Sequence, residues 1–295
     1  MKLTEDQINR WANPPSETED QKCLNAISQI TKVLRDYFGS DISFIRQGSH
    51  TNRTNIRLDS DVDIAVVHDG HYFPDINSLS ESDKQLYRAN SIDSTYSYSQ
   101  FKNDVQSVLK NTFGDANIER KNKCIRVLGN SYRINADVVP AYRHKRFSSY
   151  NSISAEGIGF KKDDSGVVYS FPKQHYDNGV KKNNNTSRSY KSVVRILKNL
   201  RNRFVENNEL KLESMPSFFI ESLAWNVPDG MFNARSWRET AGDVALKIWS
   251  DMRNPIIANN YAEVSDLMWL FRGSPARTHK QAEDFILKAW YHLTT

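Results

Sequence analysis

One short stretch, Val62-Asp63-Ile64-Ala65-Val66-Val67, constrains this chain more than any other. Its β-branched, apolar composition and polar flanks specify a strand buried in a sheet. Yet Asp61 and Asp63 stand where such a strand should carry no charge. Residues two apart on a strand share one face, roughly 6–7 Å from each other, so the two carboxylates lie side by side. Buried unpaired carboxylates are very costly, and something positive has to compensate them. Two arginines would serve. Mg²⁺ is the more economical partner, because it takes a few carboxylates and leaves the rest of its shell to water and phosphate. An isolated D-x-D also fits a strand end with two solvated aspartates, so features elsewhere in the chain have to decide.

Three of them do. Ile42 to Gln47 (ISFIRQ) reads as a strand that enters a Gly48-Ser49 turn, where backbone N–H groups and a hydroxyl can approach a phosphate unobstructed. The polar stretch after that turn is long enough to reverse the chain onto a neighbouring strand. A third carboxylate, Asp137, is embedded in the β-like run INADVVPAY. Three carboxylates on adjacent strands facing a phosphate-binding turn form the layout of a two-metal phosphoryl-transfer site. One metal lowers the pKa of an attacking hydroxyl, and the other neutralises a leaving pyrophosphate.

The chain has 295 residues, 38% of them hydrophobic and 25% charged, which suits one large domain or two packed lobes. Its net charge of +5 is compatible with a polyanionic ligand but is weak evidence by itself. Cys23 and Cys124 are far apart and outside any metal-ligand spacing, which fits a reducing cytosol. The N-terminus lacks an apolar signal-peptide core, and even FFIESLAWNV is interrupted by Glu221, so a cytoplasmic protein with no membrane contact is expected.

Helical spacing of Leu24, Ile27, Ile30, Leu34 and Phe38 predicts a helix from Thr18 to Phe38, and Phe101 to Phe113 a second one. Residues 70–97 read as a polar, irregular surface excursion. KCIRVLG and RINADVVPAY read as strands joined by a hairpin-like Gly129-Asn130-Ser131 connection. After residue 143 a polar, Ser-rich stretch leads to the short β-like run GVVYSFP; Gly157 and Gly159 read as a turn. Beyond Pro172 the pattern is helical: Tyr190, Val194, Leu197, Leu200 and Phe204 form one stripe, Pro216 opens a helix that Pro228 closes, and later helices run through Trp249, Leu267 to Phe271, and Phe285 to Trp290. Trp225, Trp249 and Trp269 read as core of this helical part, and His175 as structural. The fold class is therefore α/β (α+β), with a core sheet followed by a C-terminal helical lobe.

The segments QGSHTNRTNIRLDSDVDIAVV, INADVVPA, FPKQHYDNG and PSFFIESLAWNVPD together resemble the cGAS/DncV-like nucleotidyltransferases of bacterial CBASS antiphage systems, within the DNA polymerase β-like superfamily. The CdnE group fits best, and the resemblance runs from about Asp6 to Trp290. It implies a nucleotidyltransferase core over residues 1–175, whose N-terminal helix packs along both lobes, a helical lobe over 176–295, and an active-site cleft between them. By the same resemblance Asp61, Asp63 and Asp137 hold two Mg²⁺ ions, with Mn²⁺ as a substitute, and Asp137 orients the attacking ribose hydroxyl. Gln47, Gly48 and Ser49 belong to the nucleotide site, Ser49 touching the donor triphosphate.

Lys191, Arg195 and Lys198 fall at i, i+4 and i+7 and share one helix face. That row reads either as a solvated face or, by the resemblance, as a source of triphosphate ligands in Lys198 and Lys191. Ser217 occupies the first turn of the Pro216 helix, where exposed N–H groups favour phosphate. In the CdnE group the residue before the F/Y-P-K segment faces the nucleobase, and asparagine there goes with uridine. Here it is Ser170, short enough to leave room for a purine. The implied reaction joins and cyclises ribonucleoside triphosphates, ATP favoured, into a 3′–5′ linked cyclic dinucleotide containing a purine, with adenine expected, and releases pyrophosphate. Such a product acts on a separate CBASS effector; a monomer with no obligatory nucleic acid is expected. The alternatives are a uridine-containing product, a template-independent linear polymerase and an AMP-transferring toxin.

Overall fold

A computed structural model describes residues 3–14, 17–56, 61–92, 94–164, 166–273 and 277–295. Residues 57–60, part of the stretch between the Gly48-Ser49 turn and Asp61, lie outside the described residues. The chain divides into two compact units: residues 17–47 with 60–172, and residues 1–16 and 48–59 with 173–295.

The first unit is built on a seven-stranded sheet. Its elements are α2 (Glu17–Phe38), β1 (Ile42–Gln47), β2 (Val62–Asp75), α4 (Glu81–Ala89), α5 (Tyr98–Phe113), β3 (Ile118–Arg120), β4 (Ile125–Val127), β5 (Ala136–Ser149), β6 (Ser152–Lys161) and β7 (Val167–Ser170). The order is β1-β2-β5-β4-β3, with β6 pairing β5 and β7 pairing β6. β2 and β5 run parallel, and β1 pairs antiparallel with β2, so the chain does reverse between them. Val62, Ile64, Ala65, Val66 and Val67 are fully buried and share a core with Ile27, Ile30 and Leu34 of α2 and Phe101, Val105 and Leu109 of α5. Leu24 departs from the expected stripe and faces solvent, while Cys23 and Ala26 are buried beside it.

The polar segments hold more regular structure than their composition suggests. β2 continues past a bulge between His68 and Tyr72, and its outer half pairs with β5 from Tyr72↔Arg143 to Asp75↔Arg146. The rest of the expected irregular excursion contains α4, capped by Ser80, whose hydroxyl accepts from the Asp83 amide. β5 likewise extends through the Ser-rich stretch and pairs with β6. Gly157 and Gly159 therefore lie inside a strand, not in a turn. At Gly157 a Cβ would fall 2.3 Å from the Ser170 carbonyl oxygen, so close strand packing is what requires glycine there.

The second unit comprises α1 (Glu5–Ala12), α3 (Gly48–Thr51), α6 (Pro172–Asn185), α7 (Ser189–Glu206), α8 (Ser217–Trp225), α9 (Trp237–Met252), α10 (Pro255–Ala258) and α11 (His279–Thr294). α7 is its axis. Tyr190, Val194, Leu197, Leu200 and Phe204 are fully buried as the stripe implies, but so are Val193 and Ile196 on another face. A helix apolar on several faces has no solvated side. Leu267 to Phe271 is not helical: the segment is irregular, with a bridge between Ala262 and Trp269. Trp225 and Trp249 pack partly buried on the helical core. Trp269 is half-exposed, with the Arg272 guanidinium 4.0 Å from its ring centre. No helix among the described residues is long and apolar enough to cross a membrane.

Candidate active site

Sheet register assembles the carboxylates. The parallel β2–β5 pairing sets Asp63 directly beside Asp137. Asp61 immediately precedes β2, where the Val62 amide donates to the Asn135 carbonyl (3.1 Å) and the Asn135 side-chain amide donates to Asp61 Oδ1 (3.1 Å). On the other side of β5, the antiparallel β4 places Arg126 opposite Asp137. Arg126 Nε donates to Asp137 Oδ1 at 2.8 Å, and its Nη2 reaches Asp137 Oδ2 at 3.1 Å and Asp61 Oδ2 at 2.6 Å. One guanidinium thus bridges two of the three aspartates. The hydrogen bonds to Asp137 hold Arg126 charged well above its ordinary range. Nearby, burial and then the Asp137 charge push the Cys124 thiol up to about 12. Gln47, the last residue of β1, pairs with Asp63 across the β1–β2 ladder.

Three carboxylates supply hard oxygen donors, the chemistry that suits Mg²⁺ or Mn²⁺. Among the described residues no three His, Cys, Asp or Glu side chains converge as a ready-made metal cluster. Arg126 provides the counter-charge in this arrangement, so a divalent cation would take over a neutralising role that the protein already fills. Asp61 remains 37% exposed and Asp137 20%, which leaves both accessible to an incoming ion.

The Gly48-Ser49 turn belongs to the second unit. Gly48 has φ +75°, a conformation that glycine adopts without strain. The Ser49 carbonyl accepts the amides of Thr54 (2.9 Å) and Asn55 (3.1 Å), folding the chain back on the turn. The basic row on α7 holds this segment from the interior. Arg195 Nη1 donates to the Arg53 carbonyl at 2.7 Å, and its Nε to the Ala12 carbonyl at 2.8 Å. Lys198, with 0% of its surface exposed, donates to the Thr54 carbonyl at 2.7 Å. Of the two readings of this row, a solvated face is excluded, because all three cations are buried. Burial lowers the pKa of Lys191, whose ammonium lies 5.9 Å from the Tyr176 ring centre, and brings Arg195 down to about 10. Ser217 is the first residue of α8, its hydroxyl 3.4 Å from both terminal nitrogens of Arg201. His175 is indeed engaged structurally, its Nε2 3.1 Å from Glu221 Oε1.

The structure therefore sets Asp63 in register with Asp137 and ties Asp61 to Asp137 through Arg126, with Gln47 and Ser170 in the same unit, and it places Gly48, Ser49, Lys191, Lys198 and Ser217 in the other. Sequence reasoning missed Arg126, although it is a lone charge between Ile125 and Val127 on a strand that pairs with the Asp137 strand. It also missed Thr54, and it treated Glu221 only as an interruption in an apolar run.

Residues 177–294 match the model of the cGAS/DncV-like nucleotidyltransferase C-terminal helical domain. Over 293 residues the chain is 45% identical to a cyclic dipurine nucleotide synthase of Elizabethkingia meningoseptica, with 99% of each chain covered. The chain belongs to the cGAS/DncV-like nucleotidyltransferase (CD-NTase) family. It is also 36% identical to a cyclic dipyrimidine nucleotide synthase, CdnE, of Cecembia lonarensis, again over 99% of both. A solved structure of the Elizabethkingia meningoseptica CdnE cyclic dinucleotide synthase, with GTP and Apcpp, superposes with a TM-score of 0.84 at 42% identity, covering 99% of this CD-NTase and all of that chain. The mixed α/β sheet unit, the helical unit and the enzyme class, nucleotidyltransferase, agree with that membership.

Proposed function

We propose that this CD-NTase joins two ribonucleoside triphosphates and closes them into a 3′–5′ linked cyclic dinucleotide containing at least one purine, with adenine favoured. The observation that carries the reading is the carboxylate row: Asp63 and Asp137 in register on adjacent strands, with Asp61 tied to Asp137 through Arg126. The full-length likeness to a dipurine synthase supports the purine, as does a serine at position 170.

In each of two rounds a ribose hydroxyl attacks an α-phosphate in line. A new P–O bond forms, the bond to pyrophosphate breaks, and the hydroxyl proton passes to water. Asp61, Asp63 and Asp137 would hold Mg²⁺, which supplies activation of the hydroxyl and neutralisation of the leaving pyrophosphate. The chain's own residues do the remaining work. Asp137 orients the attacking hydroxyl, and Arg126 keeps the carboxylates compensated when no cation is bound. The Ser49 hydroxyl donates to the triphosphate, and Lys191 and Ser217 add charge and donors beside it; Lys198, fully buried on the Thr54 carbonyl, supports this segment from within instead of touching the triphosphate as the resemblance implied. After the first round the linear intermediate turns over so that its remaining triphosphate becomes the donor. A site that grips phosphates and holds bases loosely serves both rounds. The product would act on a separate effector in CBASS antiphage defence, made by a cytoplasmic monomer that needs no nucleic-acid template.

The dipyrimidine relative favours a second reading, a uridine-containing product. The test is mass spectrometry of products formed from ATP, GTP, CTP and UTP mixed together. A phosphatase-resistant cyclic dinucleotide with adenine is expected; masses showing pyrimidines alone would contradict the purine assignment.

A further inference from the structure

Glu221 is an expensive residue for its position. It lies on α8 between Ile220 and Ser222 with 3% of its surface exposed, in a helix whose buried side chains are otherwise neutral. Burial alone would raise its carboxyl pKa. The charge and hydrogen bond of His175, the Lys198 ammonium and the Thr54 hydroxyl together bring it below the ordinary glutamate value. A buried ionic cluster of this kind contributes less to stability than well-packed apolar residues often would. What it fixes is the position of a particular stretch of chain.

The contacts say which one. Thr54 Oγ1 donates to Glu221 Oε2 at 3.1 Å, while the Thr54 carbonyl accepts from Lys198 Nζ at 2.7 Å. Thr54, itself fully buried, turns its amide back to the Ser49 carbonyl at 2.9 Å. His175 on α6 holds the other carboxylate oxygen, Oε1, at 3.1 Å. The path from Ser49 through Thr54 to Glu221 runs entirely within one compact unit, and it is anchored on three helices, α6, α7 and α8.

We infer that Glu221 is a positioning residue for the nucleotidyl transfer: acting through Thr54, it sets the Ser49 turn in the pose that receives the triphosphate. This rests on the proposed triphosphate role of Ser49. Lys198 then serves chiefly as a strut on the Thr54 carbonyl, and its charge balances Glu221. One hydrogen bond fixes only part of the pose, so its loss weakens triphosphate binding without abolishing turnover.

The experiment compares Thr54→Val, Thr54→Ser, Glu221→Gln, the Thr54→Val/Glu221→Gln pair and Ser49→Ala, reading KM for ATP, kcat and melting temperature. Thr54→Val is close to isosteric, so it carries the comparison even where Glu221→Gln folds poorly. Thr54→Val is expected to raise KM for ATP about 3- to 10-fold with a smaller change in kcat. Thr54→Ser keeps the hydroxyl and should restore KM. The double variant should be no worse in KM than Thr54→Val alone, because both changes cut one link. A Thr54→Val enzyme with the wild-type KM, when Ser49→Ala raises it, overturns the positioning role. So does full additivity of the pair. A Ser49→Ala enzyme with unchanged KM instead removes the triphosphate role of Ser49, and the inference falls with it.

Discussion

Arg126→Met deletes a guanidinium that makes three hydrogen bonds to Asp61 and Asp137, at 2.6, 2.8 and 3.1 Å. Exposed ion pairs contribute about 0–1 kcal/mol each, whereas breaking a fully buried one costs about 3–5 kcal/mol. Arg126 is 28% exposed, Asp137 20% and Asp61 37%, so these pairs fall between the limits. Asp61, the most exposed partner, is discounted for solvent screening, which leaves a loss of about 1.5–3 kcal/mol. For a chain of this size about 1 kcal/mol moves the melting temperature by roughly 2–4 °C, so the variant should melt about 3–12 °C below wild type in EDTA.

The informative arm is the same measurement in MgCl₂. If Arg126 stands in for cation charge at the carboxylates, a bound ion replaces what methionine lacks and stabilises the variant more than the wild type. The gap between the two proteins should then shrink to about 2 °C or less. Thermal melts of both, with and without magnesium, decide the matter. An equal gap in EDTA and in MgCl₂ would make Arg126 a plain structural clasp, and no gap in either would remove it from the energetics of the site.

Ser170→Asn should shift incorporation from purine towards uridine by about 2- to 10-fold, the worth of one neutral hydrogen bond, because the amide offers the uracil edge both a donor and an acceptor; product masses from an ATP/UTP competition check it, and an unchanged uridine fraction frees Ser170 of any role in base choice. Gly157→Ala puts a Cβ 2.3 Å from the Ser170 carbonyl oxygen and 2.8 Å from Phe171 Cδ1, so it should cost about 1–3 kcal/mol as an overpacking change, read as a lower denaturation midpoint. Arg120, and then Lys102, hold the Asp163 carboxyl down from 3.8 to about 2. A folded-state pKa depressed in this way stabilises above the unfolded value and loses that effect as pH falls through the folded one. Wild type and Asp163→Asn should therefore differ in denaturant midpoint at pH 7 and converge between about pH 4 and pH 2; a gap that is constant down to pH 2 would contradict the sign.

Local signals made part of this molecule legible. β1 spans Ile42–Gln47, the strand expected to lead into the Gly48-Ser49 turn, and β2 starts at Val62 as the apolar run required. The stripe on α7 was readable because 3.6-residue periodicity marks the face that packs. The same periodicity could not tell that the opposite faces are buried too, since that depends on which helices pack around α7. Hence Lys191, Arg195 and Lys198, a plausible solvated row by spacing, turn out to be interior cations, Arg195 and Lys198 held by backbone carbonyls. The outer halves of β2, β5 and β6 were hidden for a related reason. Strands such as Ser152–Lys161 alternate only in two short runs of opposite phase, Ile153 and Ala155 then Ile158 and Phe160, among serines and glycines, and are fixed as strands by neighbours that offer hydrogen-bonding edges. At the site, the aspartates were conspicuous as charges in an apolar strand. Arg126 became meaningful only once the antiparallel register set it opposite Asp137, and Thr54 and Glu221, 167 residues apart, only through tertiary contact.

The most direct measurement of the central claim uses α-³²P-labelled ATP, magnesium and phosphatase digestion, with wild type beside the Asp61→Asn/Asp63→Asn variant. A cyclic dinucleotide has no terminal phosphate and keeps both labelled phosphates, whereas a linear product loses its terminal phosphates and keeps only the label in its internal phosphodiesters, so mass separates the two. The wild-type enzyme should yield a phosphatase-resistant species with the mass of a cyclic dinucleotide, and the folded double variant should yield none. A resistant product made by the folded double variant, or wild-type products that have only the masses of linear oligonucleotides after digestion, would contradict a cyclising transferase built on these aspartates.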